Sequence, residues 1–190
     1  GRVSMYLLPG VVGFLAFILF DINKIRWHAK PLNLLFAFGI LLLLGSTALC
    51  VPDLSEVGSR FDVRRIAGLA GLLASGLGVV YALFFALPFD KTYTEGGDLP
   101  LVSQGLYGMC RHPAFWPFAS LYFFLWLFFT GHRMFWAAIL YTVCNFIYIC
   151  VQDRYIFPQY IRGYSNYKKT VPFLLPTWES VKRAFSTKNL

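Results

Sequence analysis

The chain has 190 residues, 57% of them hydrophobic and 14% charged, with a mean hydropathy of +0.58 and a formal net charge of +8. Globular chains run at about 45–50% apolar and about 25% charged, so the composition excludes an ordinary soluble fold and points to one compact membrane domain spanning residues 1–190. The positive charge does not read as a nucleic-acid footprint, because no basic stripe interleaved with base-stacking aromatics sits on a soluble segment. Topology and attraction to anionic membrane lipids account for it.

A transmembrane helix takes about 17–25 mostly apolar residues. In chain order the first such run is Ser4–Phe20, inside GRVSMYLLPGVVGFLAFILF. It lacks a small-residue cleavage site, so it is expected to stay on as a span and not to leave as a signal peptide. Asn33–Cys50, Ile66–Phe89 and Met134–Val151 follow, and Ala114–Thr130 makes a fifth run, parted from the last only by Gly131-His132-Arg133. That spacing predicts a tight helical hairpin. No period-2 alternation suggests a barrel. The expectation is an all-α polytopic membrane helical bundle of about five transmembrane helices with a cytoplasmic C-terminal segment. The spans as drawn hold essentially no charge, Asn145 being the main polar residue, and no inverted repeat is evident, which argues against a transport pathway. The small-residue stretch Gly68–Gly76 offers a packing surface, more often used inside a bundle than for dimerisation; the oligomeric state stays open.

An odd number of spans puts the termini on opposite sides. Of the 17 Lys and Arg residues, only Arg2, Arg60, Arg64, Arg65 and Arg133 fall on one side, and the other twelve, from Lys24 to Lys188, fall on the other. The positive-inside rule then predicts an N-terminus outside and a cytoplasmic C-terminus, in a prokaryotic plasma membrane or an endoplasmic reticulum. The loop Asp90–His112 and the tail Asp153–Leu190 would share the cytoplasmic face. Cys50, Cys110, Cys144 and Cys150 form no C-x-x-C pair, and His28, His112 and His132 are equally scattered, so no metal is implied. The cysteines read as small apolar residues.

The stretch GLYGMCRHPAFWP, residues 105–117, places Arg111, His112 and Pro113 directly before an aromatic run. Proline suits the first helical turn, where its missing N–H would be unpaired anyway. The N–H groups of Ala114 and Phe115 would then lack helical partners and, with Arg111 and His112 beside them, make a site for a carboxylate or phosphate. Gly105 and Gly108 permit tight turns or close approach of a ligand. The same residues also suit an interfacial anchor with an aromatic belt.

The tail, VQDRYIFPQYIRGYSNYKKTVPFLLP, residues 151–176, carries Asp153, Arg154, Arg162 and the spaced tyrosines Tyr160, Tyr164 and Tyr167, which share a helix face if Gly163 does not break the turn. Pro158, Pro172 and Pro176 exclude one uninterrupted helix, so the segment should fold back over the rest. Beyond it, Trp178, Val181 and Phe185 opposite Lys182 and Arg183 suit a short amphipathic helix on the membrane surface.

Taken together, Gly105-x-Tyr107-x-x-x-Arg111-His112-Pro113-x-Phe115, two closely connected spans, and Tyr164-x-x-Tyr167-x-x-x-Val171-Pro172-x-x-x-Pro176 resemble the isoprenylcysteine carboxyl methyltransferase and phospholipid methyltransferase superfamily. The resemblance is strongest from about Gly105 to Pro176. It implies S-adenosylmethionine as cofactor, bound by a part of the chain at about residues 90–176, and a lipid-like or prenylcysteine acceptor entering sideways from the bilayer. His112 and Pro113 would line the cofactor pocket, Tyr107 would shape it, Arg111 would stand beside it, and the tail would close as a lid. The cofactor carboxylate would meet the N–H groups of Ala114 and Phe115. Arg154 or Arg162 would hold an acceptor carboxylate, whereas Asp153 would partner an acceptor amine. Two departures stand out. The family's acidic pair, implicated in cofactor binding, reads Gln152-Asp153 here, and its Phe-Gly reads Tyr160-Ile161.

Two other readings remain at this stage. Membrane reductases of the sterol and steroid type carry a similar Arg-His-Pro element and use NADPH, but with an asparagine-glutamate and arginine-rich tail that this chain lacks. A non-catalytic lipid-binding or transport scaffold is the third.

Overall fold

The computed structural model describes residues 2–53, 62–86 and 101–186, with side chains from residue 5 onward. The end of the expected third span (residues 87–89), the loop 90–100 with Lys91, and Arg60 and Lys188 lie outside the described residues. The structure is all-helical. Helix α1 covers Arg2–Ile22, α2 Leu34–Cys50, α3 Val63–Val80, α4 Leu106–Met109, α5 Phe115–Phe129, α6 His132–Val151, α7 Phe157–Tyr160, α8 Tyr164–Thr170 and α9 Trp178–Phe185.

Among the described residues four helical stretches are long and apolar enough to cross a membrane: Met5–Trp27, Lys30–Cys50, Val63–Phe85 and His132–Tyr160. Their outer faces carry large apolar side chains; on α2, Leu34, Leu41 and Leu44 are each at least 60% exposed. A helix apolar all round finds its partner in lipid or in protein on every side. The expected fifth span is α5, whose 15 residues reach about 22 Å, short of a hydrocarbon core of about 30 Å.

The packing follows from residue size. Helices α1 and α2 pair along their length, α3 pairs with α5, and α6 joins both pairs, while α2 and α3 make at most marginal contact. Gly68, Gly71 and Gly78 of α3 lie against Phe128, Phe124 and Pro117 of α5, where a methyl group would meet atoms at 3.0 Å or less. The small-residue stripe therefore serves packing within the bundle. Phe14, Phe17, Leu43, Tyr122, Met134, Ala137 and Tyr141 form the core. Near the start of α1 and the end of α2, Ser46 bonds the Tyr6 carbonyl and the Tyr141 hydroxyl, and Thr47 Oγ1 lies 2.8 Å from the Tyr122 hydroxyl.

At the opposite end, three long helices finish in wide π turns: Asn23–Trp27 after α1, Tyr81–Phe85 after α3 and Gln152–Ile156 after α6. Such turns are rare in general and recur at functional sites. The first is fixed by Asn23, 1% exposed, whose amide donates to Ala29 O and Asn33 Oδ1 and accepts from Ala29 N at 2.9–3.1 Å. The last turn of α1 is thereby held rigid against the start of α2.

The tail folds back as its prolines require. Arg111 N and His112 N donate to the carbonyls of Pro172 and Phe173, Trp116 Nε1 donates to Leu174 O, and Ser180 Oγ donates to Met109 O. Helix α9 is amphipathic, with Trp178 and Phe185 outward at 72% and 69% exposure and Lys182 above the Trp178 ring. The tyrosines do not share one helix: α7 ends at Tyr160, and Gly163, at φ +83°, caps the start of α8. Tyr160, Tyr164 and Tyr167 are nonetheless all buried.

Candidate functional site

A cavity of about 480 Å³ runs from the π-turn end of the bundle down between the helices. Its lower wall is apolar, with Phe14 and Phe17 of α1, Ile40 and Leu43 of α2, Val79 and Val80 of α3 and Phe118 and Leu121 of α5. Its upper wall is polar and aromatic, with Asp21, Lys24, Tyr107, Arg111, His112, Tyr148, Gln152, Phe157, Tyr160, Tyr164 and Tyr167. Because α2 and α3 both line the cavity yet scarcely touch, the apolar part faces the seam between them. That volume is in the range of small-molecule sites, about 300–1,000 Å³.

Two polar clusters flank the π turn of α6, because consecutive residues of a helix point to different sides. Asp153 points toward the 111–112 segment. Arg111 Nε and NH2 grip its two oxygens at 2.7 and 3.1 Å. Tyr164 OH donates to Oδ1 at 2.7 Å, and Lys168 Nζ lies 2.9 Å from Oδ2. Arg111 NH1 is also used, by the carbonyls of Val171 at 2.6 Å and Lys168 at 3.2 Å. This buried, bidentate pair locks the tail onto the loop before α5. The Tyr164 phenol is pushed above its usual range by burial and by its bond to the Asp153 carboxylate, so it stays a donor.

His112 is 6% exposed and lies in the cavity wall. Its ring stacks on Phe157 at 5.7 Å and meets Phe173 edge-on at 5.2 Å. Its Nε2 sits 3.5 Å from Asp153 Oδ1 without hydrogen-bond geometry and has no hydrogen-bond partner among the described residues. Burial lowers its pKa below the ordinary 6.5, partly opposed by Asp153, so the ring is neutral at neutral pH. A buried imidazole nitrogen without a hydrogen bond is a costly arrangement, set here beside the Asp153 carboxylate.

Gln152, one residue earlier, turns the other way. Its Nε2 donates to Asp21 Oδ2 at 2.8 Å, and Tyr148 OH donates to the same oxygen at 2.8 Å. Lys24 stands in the π turn that follows α1, with its Nζ 4.4 Å from the centre of the Phe20 ring and 5.6 Å from that of Tyr160.

No family model, curated protein or solved structure matches the chain.

The structure brings together some of the residues singled out in the sequence. Tyr107, Arg111, His112, Ala114, Phe115 and Gln152 all line the cavity, and Tyr107 OH donates to Ala82 O across to the π turn of α3. Others are placed differently. Helix α5 begins at Phe115, so Pro113 precedes its first turn. The Phe115 N–H is not free, since it donates to His112 O at 3.2 Å. Asp153 stands behind Arg111 and His112 with both oxygens bonded. Arg154 is exposed and outside the cavity wall, and Arg162 is exposed in a separate shallow surface groove along residues 158–166. Neither arginine is placed to hold an acceptor group inside the cavity. Among the described residues no group of three or more His, Cys, Asp and Glu side chains is placed to hold a metal ion.

The residue the sequence reading missed is Asp21. The expected spans hold essentially no charge, yet a carboxylate 6% exposed lies inside the helical stretch Met5–Trp27. The expected first span ends at Phe20, where the apolar run stops; the helix continues to Ile22. The signal was available in the spacing Phe14, Phe17, Asp21, Lys24, a single face of an α-helix.

Proposed function

We propose that the chain is an integral-membrane methyltransferase that takes its methyl group from S-adenosylmethionine and passes it to a lipid-like acceptor. In this reading α5 crosses as a fifth, short span beside α3 and α6. The N-terminus faces outward, and the π-turn end, with Lys24, Arg111, Lys168 and Lys182, lies at the cytoplasmic face. The observation that carries the reading is the cavity itself. It is amphiphilic, with a polar aromatic end at the membrane surface and an apolar shaft among the spans, and His112 lines the polar end.

The polar end fits the cofactor. His112 stands in the wall of that end, and the rings of Phe157, Tyr160 and Tyr164 beside it suit a purine face and a cationic sulfonium. When bound, S-adenosylmethionine supplies a methyl group whose sulfur keeps the broken bond's electron pair, while the acceptor's lone pair forms the new bond. The chain's contribution is placement. Arg111 and Asp153 fix the 111–113 segment against the tail, which sets the orientation of His112. The aromatic wall excludes water, and a well-aligned pair of reactants gains about 7–11 kcal/mol from proximity. Asp153 is in this account a positioning residue. The acceptor's chain enters through the seam between α2 and α3.

Incubation of the detergent-purified protein with methyl-labelled donor and a total membrane lipid extract tests the proposal. Label appearing in a lipid fraction supports it, and no transfer by a folded sample that also fails to bind the donor overturns it.

A further inference from the structure

The tail from Phe157 to Ser186 carries five basic residues, Arg162, Lys168, Lys169, Lys182 and Arg183, against one acid, Glu179. Within it α9 has two faces. Ser180 faces inward, 1% exposed, with its hydroxyl on Met109 O, and Ala184 lies so near Gly108 that a methyl group there would meet it at 3.1 Å. The other face turns away from the protein, with Trp178 and Phe185 exposed and the Lys182 ammonium 5.2 Å from the centre of the Trp178 ring. Charge and ring thus point the same way. Arg183 NH1 donates to Thr170 O, which brings the exposed Lys169 to the edge of the helix. Just before α9, Leu175 is exposed and Leu174 O accepts from Trp116 Nε1. Trp116 and Phe123, seven residues apart on α5, are both exposed and share its outer, apolar face. That bond places the start of α9 beside the point where α5 turns its side to lipid. An aromatic face flanked by lysines at this level suits a lipid surface, and the excess of basic over acidic residues suits an anionic one.

We propose that the outer face of α9, with Leu175 and Lys169, docks on anionic lipid head groups, and that docking steadies the polar end of the cavity through α4. The inner face of α9 holds Gly108 and Met109. Tyr107, the residue before them, lines the cavity, donates to Ala82 O and accepts from Tyr167 OH at its carbonyl. Helix α4 has four residues, far too few to stand alone, so its position depends on what packs against it. A docked α9 fixes α4, and an α9 lifted from the surface leaves it loose. A lipid surface and a ligand at the polar end then favour the same arrangement, and each strengthens the other. The lipid acts here as a surface and not as a methyl acceptor. Docking stands by itself; its effect on donor affinity rests on the methyl-transfer reading.

The test places the purified full-length protein in nanodiscs of phosphatidylcholine alone, or of phosphatidylcholine and phosphatidylglycerol in equal parts, and reads backbone hydrogen exchange in peptides covering α4 and α9. The expected result is that exchange of both helices slows about fivefold in the anionic discs, the factor that roughly one surface lysine contributes. High salt should reverse the slowing, and the double variant Lys169→Gln, Lys182→Gln should not show it. Both lysines are exposed, so the fold should survive the change, and unaltered exchange in α6 verifies that it does. Equal exchange of the unaltered protein in the two kinds of disc overturns the docking whether or not the variant folds. A slowing that survives in the double variant overturns this face as its source, and a slowing of α9 without α4 overturns the coupling. S-adenosylhomocysteine carries no net charge and is not itself drawn to an anionic surface. It should bind the unaltered protein roughly fivefold tighter in the anionic discs, at the lower end of ordinary coupling between sites, and bind the double variant equally in both. Equal affinity for the unaltered protein, where both helices slow, overturns the effect on the site. Absence of S-adenosyl binding in either disc removes the methyl-transfer reading, while the exchange result still decides the docking.

Discussion

The two polar clusters on either side of the α6 π turn use the same chemistry to opposite ends. Asp153 has both oxygens bonded, by an arginine, a tyrosine and a lysine. Asp21, at nearly the same burial, has one oxygen bonded twice and the other not at all among the described residues. A saturated buried carboxylate holds structure together, whereas a half-saturated one facing a cavity is available to a ligand. The comparison separates Asp153, which ties the tail to Arg111, from Asp21, which keeps one oxygen unbonded among the described residues.

That contrast can be broken in order of expected effect. Arg111→Met removes one partner of the buried pair and leaves Asp153 under-compensated, so a loss of about 3–5 kcal/mol is expected, seen as a large fall in the thermal midpoint in detergent. An unchanged midpoint would show that Lys168 and Tyr164 suffice and that the cluster is not a lock. Tyr164→Phe deletes a single hydrogen bond to a charged group and should cost about 1.5–3 kcal/mol by the same measurement. Asp21→Asn keeps its two donors and should move the midpoint least, by under about 1 kcal/mol; a loss as large as that of Arg111→Met would erase the distinction between the clusters.

The pH dependence sharpens it further. His112 is neutral when folded, its pKa held below 6.5 chiefly by burial and despite Asp153. The unfolded imidazole takes up its proton near the ordinary value, so the stabilisation is complete above about 6.5 and is lost as the pH falls toward the depressed folded value. Melting followed from pH 7.5 down to 5 should show a decline that His112→Gln flattens. A decline of the same size in the variant would assign it to other groups.

Much of the fold was legible because apolar run length is a strong signal: the four long stretches, the hairpin around Gly131 and the fold-back forced by Pro158, Pro172 and Pro176 all follow from local rules. Ends were less legible. Pro113 promised the first helical turn, but the backbone turns through Pro113 and Ala114 before the helix begins, since tertiary bonds from Arg111 N and His112 N to the tail decide where the loop stops. Arg154 and Arg162 were attractive by charge alone. Whether a side chain beyond α6 faces the cavity depends on the π turn and on Gly163, which a 3.6-residue period does not anticipate. Asp21 was lost for the complementary reason: reading a span as an uninterrupted apolar run stops at the first charge, although a final turn can carry a carboxylate on its inner face when Tyr148 and Gln152, over a hundred residues away, supply the bonds.

The most direct measurement is calorimetric titration of the detergent-purified protein with S-adenosylhomocysteine, with NADPH in parallel and His112→Ala as the comparison. The account predicts that the S-adenosyl ligand binds, that NADPH does not, and that loss of the imidazole weakens binding on the order of tenfold. Binding of NADPH alone, or of neither ligand to a sample shown to be folded, would contradict it.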